Sequence, residues 1–151
     1  CKCAPNDVRR YLDKISGPLL DRIDIQVEVP AVTDDEMTAK VKDGDSSAVV
    51  RARVEAAREF GRARFEAAGD RASSNAAMTA SQIRRHCHLD DRAAALLKGA
   101  FESMGLSARG HDRILRVART VADMDGCEVI SASHIAEAIQ YRSLDRKYWN
   151  R

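Results

Sequence analysis

Apolar residues recur along most of this chain at the spacing of an α-helix. The first such row follows an i, i+3, i+4, i+7 pattern and consists of Val8, Tyr11, Leu12 and Ile15. One face of a helix carries residues at that spacing, so the row predicts a first helix. Asn6 is its expected N-cap, and Gly17-Pro18 is its expected end because proline does not continue a helix.

A segment with a two-residue period follows this first helix. Apolar and polar residues alternate from Ile23 to Val29, and Pro30 ends the alternation. The pattern predicts a β-strand over residues 23–29 that buries one face. A lone strand leaves its backbone hydrogen bonds unsatisfied, so its sheet partners are expected in sequence preceding this chain or in another chain. Residues 1–30 are therefore interpreted as the end of an α/β domain.

The rest of the chain is predicted to be helical after an acidic, turn-rich linker at residues 31–45. Helical periodicity, capping residues and glycine stops divide residues 46–151 into successive helices. Their expected starts are Ser46 or Ser47, Ser81, Asp90 or Asp91, Ser107 and Ser131. The predicted fold class is mainly α. It consists of a helical bundle preceded by a short remnant, a helix plus one strand, of an α/β core.

Composition and charge indicate a folded protein without a membrane anchor. Of 151 residues, 44% are hydrophobic and 32% are charged, which separates the chain from disordered sequences. The 25 basic and 23 acidic residues leave a net charge of +2, too balanced for a dedicated nucleic-acid binder. No apolar run reaches membrane-spanning length and no secretory leader is evident, so a cytoplasmic location is predicted. Because the first residue is Cys1 rather than Met, the chain is expected to be a fragment.

Two arginine-bearing segments are candidate sites, and the first runs from Gly17 to Asp24. Arg22 lies in it beside the predicted strand, where its permanently charged guanidinium can reach a phosphate on a neighbour. The alternative is an ordinary surface ion network of Asp21, Arg22 and Asp24. Position alone favours this plainer interpretation.

The second segment runs from Gly105 to Arg116 and places Arg109, Arg113 and Arg116 at i, i+4 and i+7. This spacing puts the three guanidinium groups on one side of a helix, opposite the apolar side. Arg109 lies in the first turn, where the helix dipole favours anions. A solvated charged face is the plainer alternative. The chain lacks the GxxxxGK[ST] phosphate loop, a Ser/His/Asp arrangement and a paired-carboxylate site, so it is a poor candidate for an independent catalyst.

Four blocks of sequence occur together and in order along the chain. They are Gly17-Pro18-Leu19-Leu20-Asp21-Arg22-Ile23-Asp24, Leu106-Ser107-Ala108-Arg109, Arg116-Val117-Ala118-Arg119-Thr120 with Ala122-Asp123, and Ala136-Glu137-Ala138-Ile139-Gln140-Tyr141-Arg142. This set resembles the C-terminal region of the magnesium-chelatase-like competence proteins, the ComM/YifB family, and the resemblance covers nearly the whole chain. More distantly it resembles the magnesium chelatase ATPase subunit and the minichromosome-maintenance helicases.

The resemblance implies a AAA+ motor that assembles as a ring, a hexamer, with ATP and Mg at the subunit interfaces. It implies that Arg22 is an arginine finger that reaches the γ-phosphate held by the adjacent subunit. Arg109 would be the sensor-2 arginine of a helical lid, residues 46–151. The implied partners are the preceding AAA+ core, further copies of the chain, and DNA, on which related proteins act as branch-migrating helicases. Without the core, the fragment is expected to hold no cofactor and to be inactive alone.

The resemblance also implies that Cys1-x-Cys3 is the second half of a cysteine-rich, zinc-like element. Two thiolates do not fill a tetrahedral zinc site, so no metal is predicted for this chain. Neighbouring residues on a helix point apart, which argues against a metal site at His86-Cys87-His88. Two other functions remain open. One is a stand-alone helical DNA-binding module that would use Arg113 and Arg116, and the other is a purely structural lid without a functional arginine.

Overall fold

The computed structural model describes residues 3–20, 22–34, 37 and 44–142. Within these residues the fold is built from helices: α1 (Pro5–Leu12), α2 (Gly17–Leu20), α3 (Ser47–Ala67), α4 (Ala80–His86), α5 (Asp91–Met104), α6 (Ala108–Met124) and α7 (Ala132–Gln140). A 3₁₀ turn, Asn75–Ala77, lies between α3 and α4. This described part has no β-ladder and shows only an isolated parallel bridge between Leu89 and Ile130. The mainly α fold class is therefore confirmed.

Helix α6 lies at the centre of the bundle and packs against α3, α4, the 3₁₀ turn and α7. Its buried residues are Gly110, Ile114, Leu115, Val117, Ala118, Arg119, Ala122 and Asp123. The apolar members share a core with Phe65 of α3, Ile83 of α4, Leu97 of α5 and Ile135 of α7. Burial of one such aliphatic side chain stabilises a fold by about 1.5–3 kcal/mol. The predicted inward face of this helix is thus confirmed.

Short-range capping determines where the bundle helices begin. Ser46, Asp90 and Ser107 occupy the N-cap positions of α3, α5 and α6, as predicted. Each side chain accepts the backbone N–H of the residue three positions later, at 3.4, 2.6 and 3.0 Å respectively. These contacts satisfy N–H groups that have no partner inside the helix. Helix α7 begins after Ser131, whose backbone N–H donates to His134 Nδ1 at 3.0 Å.

The start of the chain differs from the prediction. Helix α1 begins at Pro5 with Ala4 in the N-cap position, and Asn6 lies inside the helix. Proline suits the first helical position because its fixed φ matches the helix and no N–H partner is needed there. The Gly17-Pro18 pair begins α2 instead of only ending the first helix.

Residues 23–29 carry no strand assignment and form no ladder with any described residue. Because the sheet partners of the predicted strand are expected outside this chain, the strand stays a prediction. Gln26 is 8% exposed, whereas Ile25 and Val27 are 52% and 63% exposed. The backbone N–H of Gln26 donates to the Tyr141 carbonyl oxygen, just after α7, at 2.8 Å. A strand needs a neighbouring strand to complete its hydrogen bonds, and none lies within the described residues. The polar side of the alternation therefore docks on the bundle and the apolar side faces outwards.

No helix within the described ranges combines the length and apolar character needed to cross a membrane. The predicted domain boundaries divide the chain into residues 1–30, 31–45 and 46–151. Some of these residues, among them 38–43 and 143–151, are not among those that the structure describes. The division therefore stays a prediction.

Candidate functional site

Arg109 lies in the first turn of α6, and its side chain is exposed. Ser107 holds this end of the helix by accepting the Gly110 amide at 3.0 Å. No residue in the described part of the chain forms a hydrogen bond or an ion pair with the Arg109 guanidinium. The positive end of a helix dipole and an exposed, permanent positive charge together favour an anionic partner.

Arg22 lies in the turn after α2, where its backbone N–H donates to the Leu19 carbonyl oxygen at 3.0 Å. Its side chain is exposed. Asp21 lies outside the described residues, so the predicted ion network can be followed only through Asp24. The Asp24 carboxylate forms an ion pair with Arg113 of α6. Asp24 is thus engaged by the bundle while the Arg22 guanidinium stays at the surface.

The row Arg109, Arg113 and Arg116 is not a single solvated stripe. Arg113 Nη1 pairs with Asp24 Oδ1. Arg116 Nη2 donates to the Met78 carbonyl oxygen at 2.8 Å. Both side chains are half-buried and serve contacts inside the protein. In this row only Arg109 remains exposed.

Contacts with the bundle hold the residues just after Arg22, and we call residues 23–26 the anchored segment. Asp24 supplies the ion pair with α6 described above. Arg142, which follows α7, donates from Nη1 to the Ile23 carbonyl oxygen at 3.1 Å. Arg142 is 1% exposed, so its guanidinium is committed to contacts within the fold. The segment is thereby attached to both α6 and the end of α7.

A buried ion network lies along α6, which the sequence pattern did not identify as a site. Arg119 is fully buried, and its Nε donates to Asp123 Oδ1 at 3.0 Å. Its Nη1 and Nη2 donate to the carbonyl oxygens of Glu128 and Cys127, after the end of α6. Burial lowers the pKa of Arg119 below its usual value, and the Asp123 carboxylate opposes that shift. One arginine thus joins a carboxylate of its own helix to the connection that leads to α7.

Asp123 also joins α6 to the elements beside it. Arg64 of α3 donates to Asp123 through both Nη atoms, and Arg64 Nη2 lies 2.8 Å from Asn75 Oδ1. Asn75 of the 3₁₀ turn donates from Nδ2 to Asp123 Oδ2 at 2.7 Å. We call Arg64, Asn75, Arg119 and Asp123 the Asp123 network. Its sequence signal was the i, i+4 spacing of Arg119 and Asp123, but their burial depends on α3 and is not visible in α6 alone.

A groove of about 680 Å³ lies beside the Asp123 network, between α3 and α6. Val54, Phe65 and Met124 contribute to its apolar lining. Neither Arg22 nor Arg109 lines this groove. Both candidate arginines therefore lie outside this groove.

His86 and Cys87 are neighbours in sequence but use separate partners. His86 Nε2 lies 2.6 Å from Asp70 Oδ2, whereas Cys87 Sγ lies 3.8 Å from the Leu115 carbonyl oxygen. Within the described residues, no group of three or more Cys, His, Asp or Glu side chains is placed to hold a metal ion. The Cys1-x-Cys3 element stays a prediction because Cys1 is not among the residues that the structure describes.

Thiol labelling is expected to distinguish Cys87 from Cys127. Cys127 is exposed, whereas burial raises the pKa of Cys87 to about 11. Because the thiolate is the reactive form and the Cys87 thiol is also shielded from solvent, iodoacetamide should modify the exposed Cys127 at least about tenfold faster than Cys87. Peptide mass spectrometry over a labelling time course at pH 8 measures both rates. The two rates should become similar in concentrated urea, and similar rates in the folded chain would contradict the structure.

Comparison with known proteins adds to this geometry. Residues 44–142 match the family described as magnesium chelatase, subunit ChlI C-terminal, and residues 1–37 match magnesium chelatase, subunit ChlI. The chain is 39% identical to the uncharacterized protein YifB of Escherichia coli, over 96% of this chain and 28% of that protein. It is 39% identical to competence protein ComM of Haemophilus influenzae, over 96% and 27% respectively. An uncharacterized protein of Mycobacterium tuberculosis is 38% identical over 94% and 27%. The chain thus spans less than a third of the length of these relatives.

Proposed function

The chain belongs to the magnesium chelatase subunit ChlI family, and on that premise we propose that it senses nucleotide in a ring-forming AAA+ ATPase. It supplies two arginines and part of the contact between subunits, and the phosphate-binding loop lies outside this chain. The observation that carries the proposal is the position of Arg109. Its exposed guanidinium has no partner within the described residues and lies at the N-terminal end of a helix that the core holds in place.

In this proposal Arg109 is the sensor-2 arginine and binds the terminal phosphate of ATP held by its own subunit. A guanidinium donates two parallel hydrogen bonds to phosphate oxygens, and the helix N-terminus adds a favourable dipole. Helix α6 packs against α3, α4 and α7, so a displacement of Arg109 moves these elements with it. Binding or loss of the γ-phosphate is thereby converted into a movement of the helical lid.

Arg22 is the arginine finger in this proposal and acts on ATP bound by the adjacent subunit. ATP, bound with Mg at the interface, carries negative charge that spreads over the γ-phosphoryl oxygens in the transition state. A guanidinium placed beside those oxygens stabilises that charge, whereas it has less to stabilise in the ground state. The exposed side chain of Arg22 supports this role because the contact must cross from one subunit to the next.

We propose that the ring is a homo-hexamer of the longer protein, located in the cytoplasm, and that it moves DNA. The support is the relationship to a protein named for competence, together with the ring architecture of AAA+ motors. A stand-alone DNA-binding module is less well supported. The basic row that such a module would need is divided, because Arg113 and Arg116 are engaged by Asp24 and by the Met78 carbonyl oxygen.

Replacement of Arg109 by alanine in the full-length ATPase is expected to weaken the response to nucleotide. A charge-assisted hydrogen bond contributes about 1.5–3 kcal/mol, so nucleotide affinity or kcat/KM should fall about tenfold or more. Fluorescent-nucleotide titration and a coupled ATPase assay measure the two quantities. Arg92→Ala is the matched control, because Arg92 is also exposed at the second residue of a capped helix, α5. If Arg109→Ala behaves like this control in both assays, the proposal for Arg109 is wrong.

A further inference from the structure

The anchored segment lacks the ladder that normally fixes an extended chain, so its position depends on side-chain and backbone contacts with the bundle. Asp24 pairs with Arg113 of α6, and Arg142 Nη1 donates to the Ile23 carbonyl oxygen at 3.1 Å. The Gln26 N–H donates to the carbonyl oxygen of Tyr141 at 2.8 Å. Three successive contacts therefore attach a segment of four residues to α6 and to the end of α7.

These contacts lie close in sequence to both candidate arginines. Asp24 comes two residues after Arg22, and Arg113 comes one helical turn after Arg109. Residues one turn apart on a helix have Cβ atoms about 5–6 Å apart. The Asp24–Arg113 pair therefore joins the segment that carries Arg22 to the helix turn that follows Arg109.

Burial distinguishes these contacts from ordinary surface ion pairs. The side chain of Arg113 is 19% exposed and that of Asp24 is 41% exposed. Both partners in the Arg53–Asp45 pair of the α3 start are 57% exposed. A half-buried pair is screened less by water and salt than an exposed one. The fully buried Arg142 adds a second fixed point that solvent does not compete for.

We propose that Asp24, Arg113 and Arg142 form a latch that positions Arg22 on the lid, so that lid movement sensed through Arg109 displaces the finger. The inference rests on the proposed function. Since Arg109 contacts the nucleotide of its own subunit and Arg22 that of the next, the latch passes the state of one ATP site to its neighbour. The three latch residues are positioning residues and do not themselves contact nucleotide.

The first test measures the latch in this chain without any ATPase. The Gln26 amide should exchange its hydrogen at least about tenfold more slowly than in an unfolded peptide. Asp24→Arg, Arg113→Asp and Arg142→Met should each remove that protection, and the double reversal Asp24→Arg/Arg113→Asp should restore most of it. The Ala118 amide in the core of α6 reports on the bundle and should stay protected in every variant. An unprotected Gln26 amide in the unaltered chain would overturn the latch.

The second test measures turnover in the full-length ATPase. A small displacement of a catalytic group can slow a reaction by up to about 100-fold, so each single reversal should lower kcat by about tenfold or more. ATP affinity should change by less than about twofold, and the double reversal should recover kcat. Asp45→Arg and Arg53→Asp are the matched controls and should leave kcat unchanged because that pair is remote from the anchored segment in sequence and exposed.

The two tests separate failure of the latch from failure of the proposed function. If Arg22→Ala abolishes hydrolysis but the single reversals of Asp24 and Arg113 leave kcat unchanged, the latch is wrong and the finger stands. If Gln26 loses protection in the reversals and Arg22→Ala still hydrolyses ATP normally, the contacts are structural and the finger assignment is wrong. If the reversals lower kcat without rescue by the double variant, the ion pair does not position Arg22.

Discussion

Replacement of Asp123 by alanine is expected to lower the free energy of unfolding of this chain by about 3–5 kcal/mol. Asp123 accepts hydrogen bonds from Arg64, Asn75 and Arg119. Its removal leaves the guanidinium of Arg119 buried without a carboxylate, and burial already lowers the pKa of that arginine. An uncompensated buried charge is more destabilising than the ion pair was stabilising.

Urea denaturation followed by circular dichroism measures this effect. A domain of this size is stable by about 5–15 kcal/mol, so the variant should keep a measurable but much earlier transition. Asp45→Ala is the matched control: it also removes a carboxylate paired with an arginine, but both partners are exposed, so the loss should stay below about 1 kcal/mol. Arg119→Met in the Asp123→Ala background should recover part of the stability because it removes the unpaired charge. Equal losses in Asp123→Ala and Asp45→Ala would contradict the network.

The boundaries of the bundle helices could be predicted because their determinants are local. Ser46, Asp90 and Ser107 each accept an N–H only three residues away, so the sequence itself contains both partners of the cap. The inward face of α6 followed in the same way from its 3.6-residue period, as the burial of Ile114 and Ala118 shows.

The docking of residues 23–29 on the bundle and the burial of the arginines could not be predicted, since each depends on residues distant in sequence. Alternation from Ile23 to Val29 reports which side chains share a face, but a ladder also requires a neighbouring strand. A charged residue such as Arg119 is expected at the surface unless its partners are known. One partner of Arg119 is the Asp123 carboxylate. Arg64, which lies 59 positions before Asp123 in the sequence, also contacts that carboxylate.

The candidate site was accessible to sequence reasoning in one respect. The placement of Arg109 in an exposed first turn followed from the Ser107 cap, which sequence predicted. The different environments of Arg109, Arg113 and Arg116 did not follow, because the last two are half-buried by the anchored segment and by the Met78 carbonyl oxygen. Periodicity places three residues on one side of a helix, and only tertiary contacts decide which of them reaches solvent.

If the proposed function holds, Arg22→Ala in the full-length protein is expected to reduce kcat for ATP hydrolysis by about 10³–10⁵ while ATP binding stays within about twofold. In the proposed function Arg22 acts on charge that develops in the transition state, so its loss should appear in kcat rather than in ground-state affinity. Arg22→Lys should recover only part of the rate because an ammonium group lacks the planar, bidentate geometry of guanidinium. Arg9→Ala, which removes an exposed arginine from nearby α1, is the control and should leave turnover unchanged.

A mixed-ring experiment extends this prediction to the question of whether the two arginines reach one nucleotide from different subunits. Subunits carrying Arg22→Ala retain Arg109, and subunits carrying Arg109→Ala retain Arg22. If Arg22 acts on the neighbour and Arg109 on its own subunit, an interface formed between the two variants in the right order contains both arginines. Equal mixing should therefore restore intact sites at about one interface in four, and ATPase activity should rise above that of either variant alone. If mixing gives only the average of the two separate activities, then both arginines serve one nucleotide from the same subunit and the proposed division between them is wrong.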